Sequence, residues 1–235
     1  MSFSPLPRTF LDDLRACRPD RVIEAGCGDG RFSAVLAACG VRPWRLDRRP
    51  PARGTVADAA ADARELPLAD GSCDLLVAAN LLRQLWPLAG GAAVPPDWRR
   101  CLAAGGKLWI FEDEPSSRPA AARNYRDLQR FLAEVAPESR RPLLPRSRFV
   151  GRLGAERRDG RWAWGDAWNE TGVDNLEAVL QLLRGTAGRG GGRPAAAAGA
   201  VGPAAVGEAA RLEGSLRRSG LSYGRFWWAR WTAGG

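Results

Sequence analysis

With no histidine in its 235 residues, this chain has to do its chemistry with carboxylates and a glycine-rich loop. Glu24 follows the short apolar run Val22-Ile23 and precedes Gly26, Gly28 and Gly30 in the pattern E-x-G-x-G-x-G. Glycines so placed let the chain turn tightly and let backbone N–H groups approach a ligand that a Cβ would hold off. Asp47 follows at roughly the 20-residue distance at which an acid takes the hydroxyls of a ribose. Glu112, Asp113 and Glu114 form a run of carboxylates just before Pro115. Without an imidazole, a proton leaving a substrate must go to a carboxylate, a tyrosine or water. Cys17, Cys27, Cys39, Cys73 and Cys101 are scattered and make no C-x-x-C pair. That argues against a structural zinc site and for a reduced, cytoplasmic protein with no bound metal.

These residues need a scaffold, and the hydrophobic pattern supplies one. Phe32, Val35, Leu36 and Cys39 recur at i, i+3, i+4 and i+7, one face of a helix, and Gly40 stands where a C-terminal cap belongs. Strand, glycine turn and helix make the first half of a parallel β-α-β unit, which holds a nucleotide-like ligand at the strand's carboxyl end. VRPWRLD, residues 41–47, reads as a second strand ending on Asp47, with Pro43 making it a poor central one. The proline- and arginine-rich segment Arg48 to Thr55 leaves little room for a full second helix. Leu75-Leu76-Val77, within Cys73 to Ala79, suits a strand covered on both faces. A later helix is expected to end at Gly105-Gly106, with a strand over Lys107 to Phe111. Ahead of all this, Thr9 is the expected N-cap of a lead-in helix with Phe10, Leu11 and Leu14 on its apolar side and Pro19 as its stop.

Dinucleotide sites read G-x-G-x-x-G, whereas these glycines fall two apart. With the acid ahead of the first glycine, the stretch resembles motif I of the class I S-adenosylmethionine (SAM) dependent methyltransferases, though a glycine-rich turn of another α/β protein would look similar. Ala61 to Leu85, ADARELPLADGSCDLLVAANLLRQL, and Trp98 to Glu114, WRRCLAAGGKLWIFEDE, extend the resemblance to a methyltransferase type 11-like domain. It covers Arg21 to Pro115 well and the remainder only by topology.

The resemblance implies a Rossmann-like α/β sandwich: a mainly parallel seven-stranded sheet with helices on both faces. It implies SAM as cofactor and methyl transfer to an O, N or C nucleophile of a small molecule, such as a secondary metabolite. It also implies that Gly26, Cys27, Gly28 and Gly30 hold the methionine end of SAM while Glu24 braces the loop. Asp47 would take the ribose, Asp62 and Ala63 the adenine, and Asn80 and Leu81 the sulfur end. Two departures stand out: Arg83 where many small-molecule members carry histidine, and Ala104 where the family has proline. Glu112 and Asp113 are the expected catalytic bases, the alternative being a solvated acidic turn.

Further along, Tyr125, Leu128, Phe131, Leu132 and Val135 mark a helix within Arg118 to Glu138, expected to pack on the sheet. An arginine-dense section then leads to Asp159-Gly160, read as a hairpin turn between GRLGAERR and RWAWGDAW, with Trp162 and Trp164 sharing a face. Asp174 and Glu177 would cap a helix carrying Leu176, Val179, Leu180 and Leu183 that closes at Gly185. Thr186 to Gly207 is low in complexity and reads as a flexible linker. A last helix, Glu208 to Ser219, leads to the apolar Phe226-Trp227-Trp228, suited to a buried final strand.

The expected organisation is therefore a lead-in helix (1–20), a SAM-binding core (21–150), a hairpin-plus-helix insertion on the acceptor side (151–185), a linker (186–207) and a closing helix and strand (208–235). A net charge of +9 invites a nucleic-acid partner, yet the basic residues are arginine except for Lys107, amid abundant alanine and glycine. A small-molecule acceptor is the expected partner; an RNA or protein substrate, or a non-catalytic SAM-binding role, is the alternative. No run of 18 apolar residues and no secretory h-region is present, so no membrane association is expected.

Overall fold

The computed structural model describes residues 6–49, 56–86, 88, 92–114, 119–135, 144–153, 160–167, 180–181, 183–184, 203–219 and 225–234. They fall into two compact units. The larger, Phe3–Glu114 with Leu143–Asn169 and Phe226–Gly235, holds the sheet. Its elements in chain order are α1 (Arg8–Cys17), β1 (Val22–Ala25), α2 (Arg31–Ala38), β2 (Trp44–Asp47), β3 (Ala59–Ala60), β4 (Cys73–Ala79), α3 (Leu82–Leu85), α4 (Pro96–Arg100) and β5 (Leu102–Glu114). After α5 (Pro119–Val135) of the other unit come α6 (Arg146–Leu153) and β6 (Gly160–Ala167), then α7 (Pro203–Ser219) and the last strand, β7 (Arg225–Ala233).

The seven strands lie in the order β3-β2-β1-β4-β5-β7-β6. β1 pairs parallel with β2 and β4, β2 with β3, and β4 with β5, while β6 and β7 run antiparallel. The chain winds outward from β1 to one side and from β4 to the other, so the topology reverses between these two strands. In such sheets that reversal opens a crevice beyond the strands' carboxyl ends. Every residue of β1 is buried, as are Leu75, Leu76, Val77 and Ala78 of β4. The continuous apolar runs therefore form central strands, as their composition requires.

Several boundaries differ from those expected on sequence grounds. Helix α1 starts at Arg8, and the residue that caps it is Pro7, not Thr9. The Pro7 carbonyl accepts from Phe10 N at 3.0 Å and Leu11 N at 3.2 Å, which puts Thr9 inside the first turn. Cys39, expected on the buried face of α2, is exposed, because that helix ends at Ala38 with Gly40 at φ +79.

The helix expected to end at Gly105-Gly106 already ends at Arg100, and those glycines lie within β5. Opposite Cys73 stands Leu102, yet opposite Leu75 stands Lys107, so residues 103–106 form a bulge. Gly105 turns it at φ +72, and a Cβ on Gly106 would come within 2.8 Å of the Ala103 carbonyl oxygen. A bulge bends its strand and re-aims the residues beyond it, here the segment carrying Glu112 and Asp113.

The hairpin expected around Asp159-Gly160 is also corrected. Residues 151–153 close helix α6, and the strand partner of β6 is β7, from Gly160↔Ala233 to Ala167↔Phe226. The tryptophan-bearing arm is the edge strand of the sheet, stabilised by non-local pairing that local turn signals do not reveal. Trp162 lies opposite Trp231 and stacks edge-on to Phe149 at 5.6 Å, and Trp164 is exposed.

The smaller unit comprises Pro115–Pro142 and Glu170–Arg225 with the first two residues. Helices α5 and α7 pair in it: Asn124 Nδ2 donates to Ser215 O at 3.3 Å and Ser215 Oγ to Asn124 Oδ1 at 2.6 Å. Tyr125, Leu128, Phe131 and Leu132 of α5 are buried, as are Ala209, Leu212 and Leu216 of α7. Helix α7 begins at Pro203, so the expected linker gives way to helix before Glu208. The capping pair Asp174 and Glu177 lies outside the described residues, as do Trp168 and residues 186–202.

Candidate active site

Glu24 lies at the carboxyl end of β1 and is 1% exposed. Ser33, on the first turn of α2, donates its hydroxyl to Glu24 Oε2. Burial is the main reason that the Glu24 carboxyl is pushed up to about 7, with the Ser33 hydrogen bond acting in the opposite direction. Glu24 thus pins the start of α2 to the end of β1. The loop between them is pinned again from β2, whose Leu46 carbonyl accepts from Gly26 N at 2.7 Å and Cys27 N at 3.0 Å.

The glycines of this loop do different work. All lie in the left-handed region, with φ of +69, +56 and +79 for Gly26, Gly28 and Gly30. A Cβ on Gly26 would come within 2.7 Å of Leu81, and one on Gly30 within 2.6 Å of Val56. These two are glycine because neighbouring side chains lie against them. A Cβ on Gly28 would meet nothing nearer than the Gly26 carbonyl oxygen at 4.0 Å, so this position opens onto free space. Cys27 is buried, and burial pushes its thiol up to about 11, which leaves it a packing residue and not a nucleophile.

Asp47 ends β2 beside the loop. Its Oδ2 accepts from Gly28 N at 3.0 Å, and its Oδ1 accepts from Arg49 N at 3.0 Å. Arg49 Nε is a second donor to Oδ1 at 3.3 Å, so Oδ2 is the oxygen with capacity left for a ligand hydroxyl. Asp62 Oδ1 accepts from Arg64 N at 2.8 Å, and its side chain is about half exposed. The Ala63 carbonyl accepts from Trp98 Nε1 at 2.7 Å. Arg100 reaches the Leu68 carbonyl at 2.7 Å and Asp70 Oδ1 at 2.6 Å. Helix α4 thereby holds the loop that carries Asp62 and Ala63.

Asn80 follows β4 in a left-handed conformation at φ +55, which this residue type tolerates and most do not. Its N–H donates to the Phe111 carbonyl at 2.8 Å, and its Oδ1 accepts from Asp113 N at 3.2 Å. The Asn80-Leu81 corner is thus tied to the end of β5. Beside it sits a cluster that the spacing of residues did not disclose. Arg83 is buried, with its N–H donating to Glu112 Oε1 at 3.2 Å and its Nη1 donating to Asp113 Oδ2 at 2.9 Å. Arg83 Nε lies 3.7 Å from Glu112 Oε2, an oxygen with no hydrogen-bond partner among the described residues. Burial raises both carboxyls, Glu112 to about 7, while Arg83 pulls each back down.

The acidic run before Pro115 is therefore strand, with Glu112 and Asp113 buried. No group of side chains suited to holding a metal ion occurs among the described residues. Nor is any described helix long and apolar enough to cross a membrane.

The ends of β1, β2, β3 and β4 together bring Glu24, the glycine loop, Asp47, Asp62, Ala63, Asn80 and Leu81 to one end of the sheet. Open space over Gly28, a fixed carboxylate at Asp47 and a sheet reversal between β1 and β4 fit a ligand with a ribose and a polar tail, as SAM has.

Comparisons with known proteins agree with this fit. Residues 23–110 match the model of a methyltransferase domain. A protein-L-isoaspartate O-methyltransferase of Methylorubrum populi is 35% identical over 151 residues, 62% of this chain and 69% of that protein. A demethylmenaquinone methyltransferase of Beutenbergia cavernae is 33% identical over 141 residues. That match spans 55% of this chain and 56% of the relative, so the chain covers little more than half of its length.

Among solved structures, a putative methyltransferase from an antibiotic biosynthesis pathway of Anabaena variabilis aligns with a TM-score of 0.56 and 13% identity, over 97% of this chain and 99% of that one. A cyclopropane-fatty-acyl-phospholipid synthase-like protein from Lactobacillus casei aligns at 0.59 and 13%, over 94% and 88%. At such identities these two speak for the fold alone. Taken with the relatives above, they place the chain in the class I SAM-dependent methyltransferases, enzymes that take their methyl group from SAM.

Proposed function

We propose that this methyltransferase acts on a small molecule whose reacting atom is uncharged and carries a proton, such as a hydroxyl, an enol or an amine. The observation supporting this is the pair of carboxylates, Glu112 and Asp113, at the carboxyl end of β5 with a single guanidinium between them. An isoaspartyl acceptor is itself a carboxylate and would meet like charge there. An acceptor such as a reduced quinone is uncharged and has a proton to lose.

Bound SAM supplies a methyl group on a sulfonium, already activated for in-line displacement. The protein's residues then have to align, exclude water and manage a proton, and alignment supplies much of the catalysis in such reactions. In this reading Gly26, Cys27, Gly28 and Gly30 hold the methionine end, with Gly28 giving the closest backbone approach and Glu24 bracing the loop. Asp47 takes the ribose, Asp62 and Ala63 the adenine, and Asn80 and Leu81 flank the sulfur. Asp113 is the group that takes the acceptor's proton. Its side chain is 8% exposed, whereas that of Glu112 is 0% exposed. As the acceptor's bond to the methyl carbon forms and the carbon–sulfur bond breaks, the acceptor's proton passes to Asp113 Oδ.

The test is release of demethylated cofactor from SAM with a phenol, a hydroquinone, an amine and an isoaspartyl peptide in turn. Turnover of an uncharged acceptor, lowered by a factor of about 10² to 10⁴ in Asp113→Asn, is expected for a general base. Turnover of the isoaspartyl peptide alone would sink this reading.

A further inference from the structure

Arg83, Glu112 and Asp113 form a buried group whose formal charges do not cancel. Their side chains are 2%, 0% and 8% exposed. One guanidinium faces two carboxylates, which leaves a negative charge where solvent cannot screen it. Unbalanced charge is costly to bury, and a neutral replacement of either acid would avoid that cost. Glu24, the last residue but one of β1, is a buried acid too, whereas Asp47 at the end of β2 is paired with Arg49 at 3.3 Å.

We propose that this cluster reads the charge of the donor, holding SAM by its sulfonium more tightly than it holds the demethylated product. The inference rests on the reading of the site given above. SAM and its product differ at the sulfur by one methyl group and one positive charge, and transfer of the methyl leaves the sulfur neutral. A negative group fixed in low dielectric attracts the first and not the second. The same cluster would then favour loading of the donor and release of the spent product, beyond any part Asp113 has in proton transfer.

The pH dependence gives the cluster a signature. The charged groups acting on Glu112 are Arg83 from α3 and Asp113 beside it on β5, and the Leu82 main chain also donates a hydrogen bond to it. Burial raises its carboxyl to about 7, with Asp113 acting in the same direction and Arg83 and the Leu82 hydrogen bond against it. Below that pH Glu112 takes up a proton, the cluster becomes neutral, and the preference for SAM fades. The sulfonium makes the α-amino group of SAM more acidic than that of its product, so the cluster's share is read from the difference between the wild type and Glu112→Gln.

The experiment is calorimetric titration of SAM and of S-adenosylhomocysteine into the full chain at pH 8 and pH 6, for the wild type, Glu112→Gln and Asp113→Asn. Either variant is expected to reduce the preference for SAM at pH 8 by a factor of about 5 or more, since a unit charge about 4 Å away has that effect even in bulk water. The fall in preference between pH 8 and pH 6 should be larger in the wild type than in Glu112→Gln, where Glu24 and the ligands alone titrate. The same ratio in wild type and variants at each pH would overturn the proposal. A folded protein that binds neither ligand would overturn the reading of the site itself. Glu112→Gln and Asp113→Asn are read independently, so the change in preference at pH 8 decides the matter even where one of them fails to fold.

Discussion

At the scale of single residues, the loop glycines make a sharp contrast. Gly30 is glycine because Val56 lies against it, whereas Gly28 opens onto free space, which the proposed reading gives to the ligand. Both positions have positive φ, so alanine at either carries a backbone cost of about 1 kcal/mol. Gly30→Ala also has to displace Val56. In urea melts Gly30→Ala should therefore lose more stability than Gly28→Ala, whereas in calorimetry Gly28→Ala should lose more SAM affinity. The reverse order would mean that the two glycines have each other's roles. Arg83 is a second such residue. Arg83→Met leaves Glu112 and Asp113 buried without their cation, a loss of about 3 to 5 kcal/mol for a broken buried pair. The loss should be smaller at pH 5 than at pH 8, because protonated carboxyls no longer need the guanidinium. An equal loss at both would show that packing alone is at stake.

Among the elements, β5 and α1 set the site. The bulge at residues 103–106 lets Leu102 pair with Cys73 while Lys107 to Phe111 pair in register with the rest of β4. Gly106→Ala would drive a Cβ into the Ala103 carbonyl at 2.8 Å, a backbone contact with nowhere to give. It should destabilise by about 1 to 3 kcal/mol in denaturant melts, and it should weaken SAM binding through the shifted end of β5. Helix α1 is fastened rather than loosely laid on. Asp13 accepts from Lys107 Nζ at 2.6 Å, Trp109 Nε1 at 3.1 Å and Arg230 Nη1 at 3.2 Å. Phe10 packs edge-on to Trp109 at 5.0 Å and Phe111 at 5.3 Å, so α1 and the strand that presents the acids move together.

For the whole molecule, the buried acids govern how stability follows pH. Glu24 and Glu112 have native pKa values of about 7, raised from 4.5. Between those values the folded chain binds more protons than the unfolded one, so stability falls as pH rises from about 4.5 to 7. Asp58, Asp74 and Asp97 are lowered by hydrogen bonds to Arg45, Arg21 and Arg100, and their contribution is lost as pH falls below the ordinary aspartate range. The melting temperature should accordingly peak near pH 5, and Glu24→Gln should flatten its decline toward pH 8. A melting temperature that climbs steadily from pH 5 to 8 would contradict the burial of these carboxylates.

The inner half of this fold and the course of its glycine loop were legible in the amino-acid sequence. Local signals sufficed there: apolar runs with glycine and helical period behind them make β1, α2 and β4 wherever they sit, and Gly40 ends α2 by its own conformation. The distance from the glycines to Asp47 is likewise a property of one short β-α-β unit. The outer elements were settled only by tertiary contacts. Strand β6 pairs with β7 across some 60 residues of chain, and no turn between neighbours encodes that partner. The bulge in β5 is invisible to hydrophobic period, which reads Ala103 to Gly106 as the end of a helix. The joining of Arg83 to Glu112 and Asp113 was hidden for the same reason. Their side chains are separated by 29 and 30 positions and meet only because β4 and β5 lie side by side, where burial turns ordinary charges into a charged site.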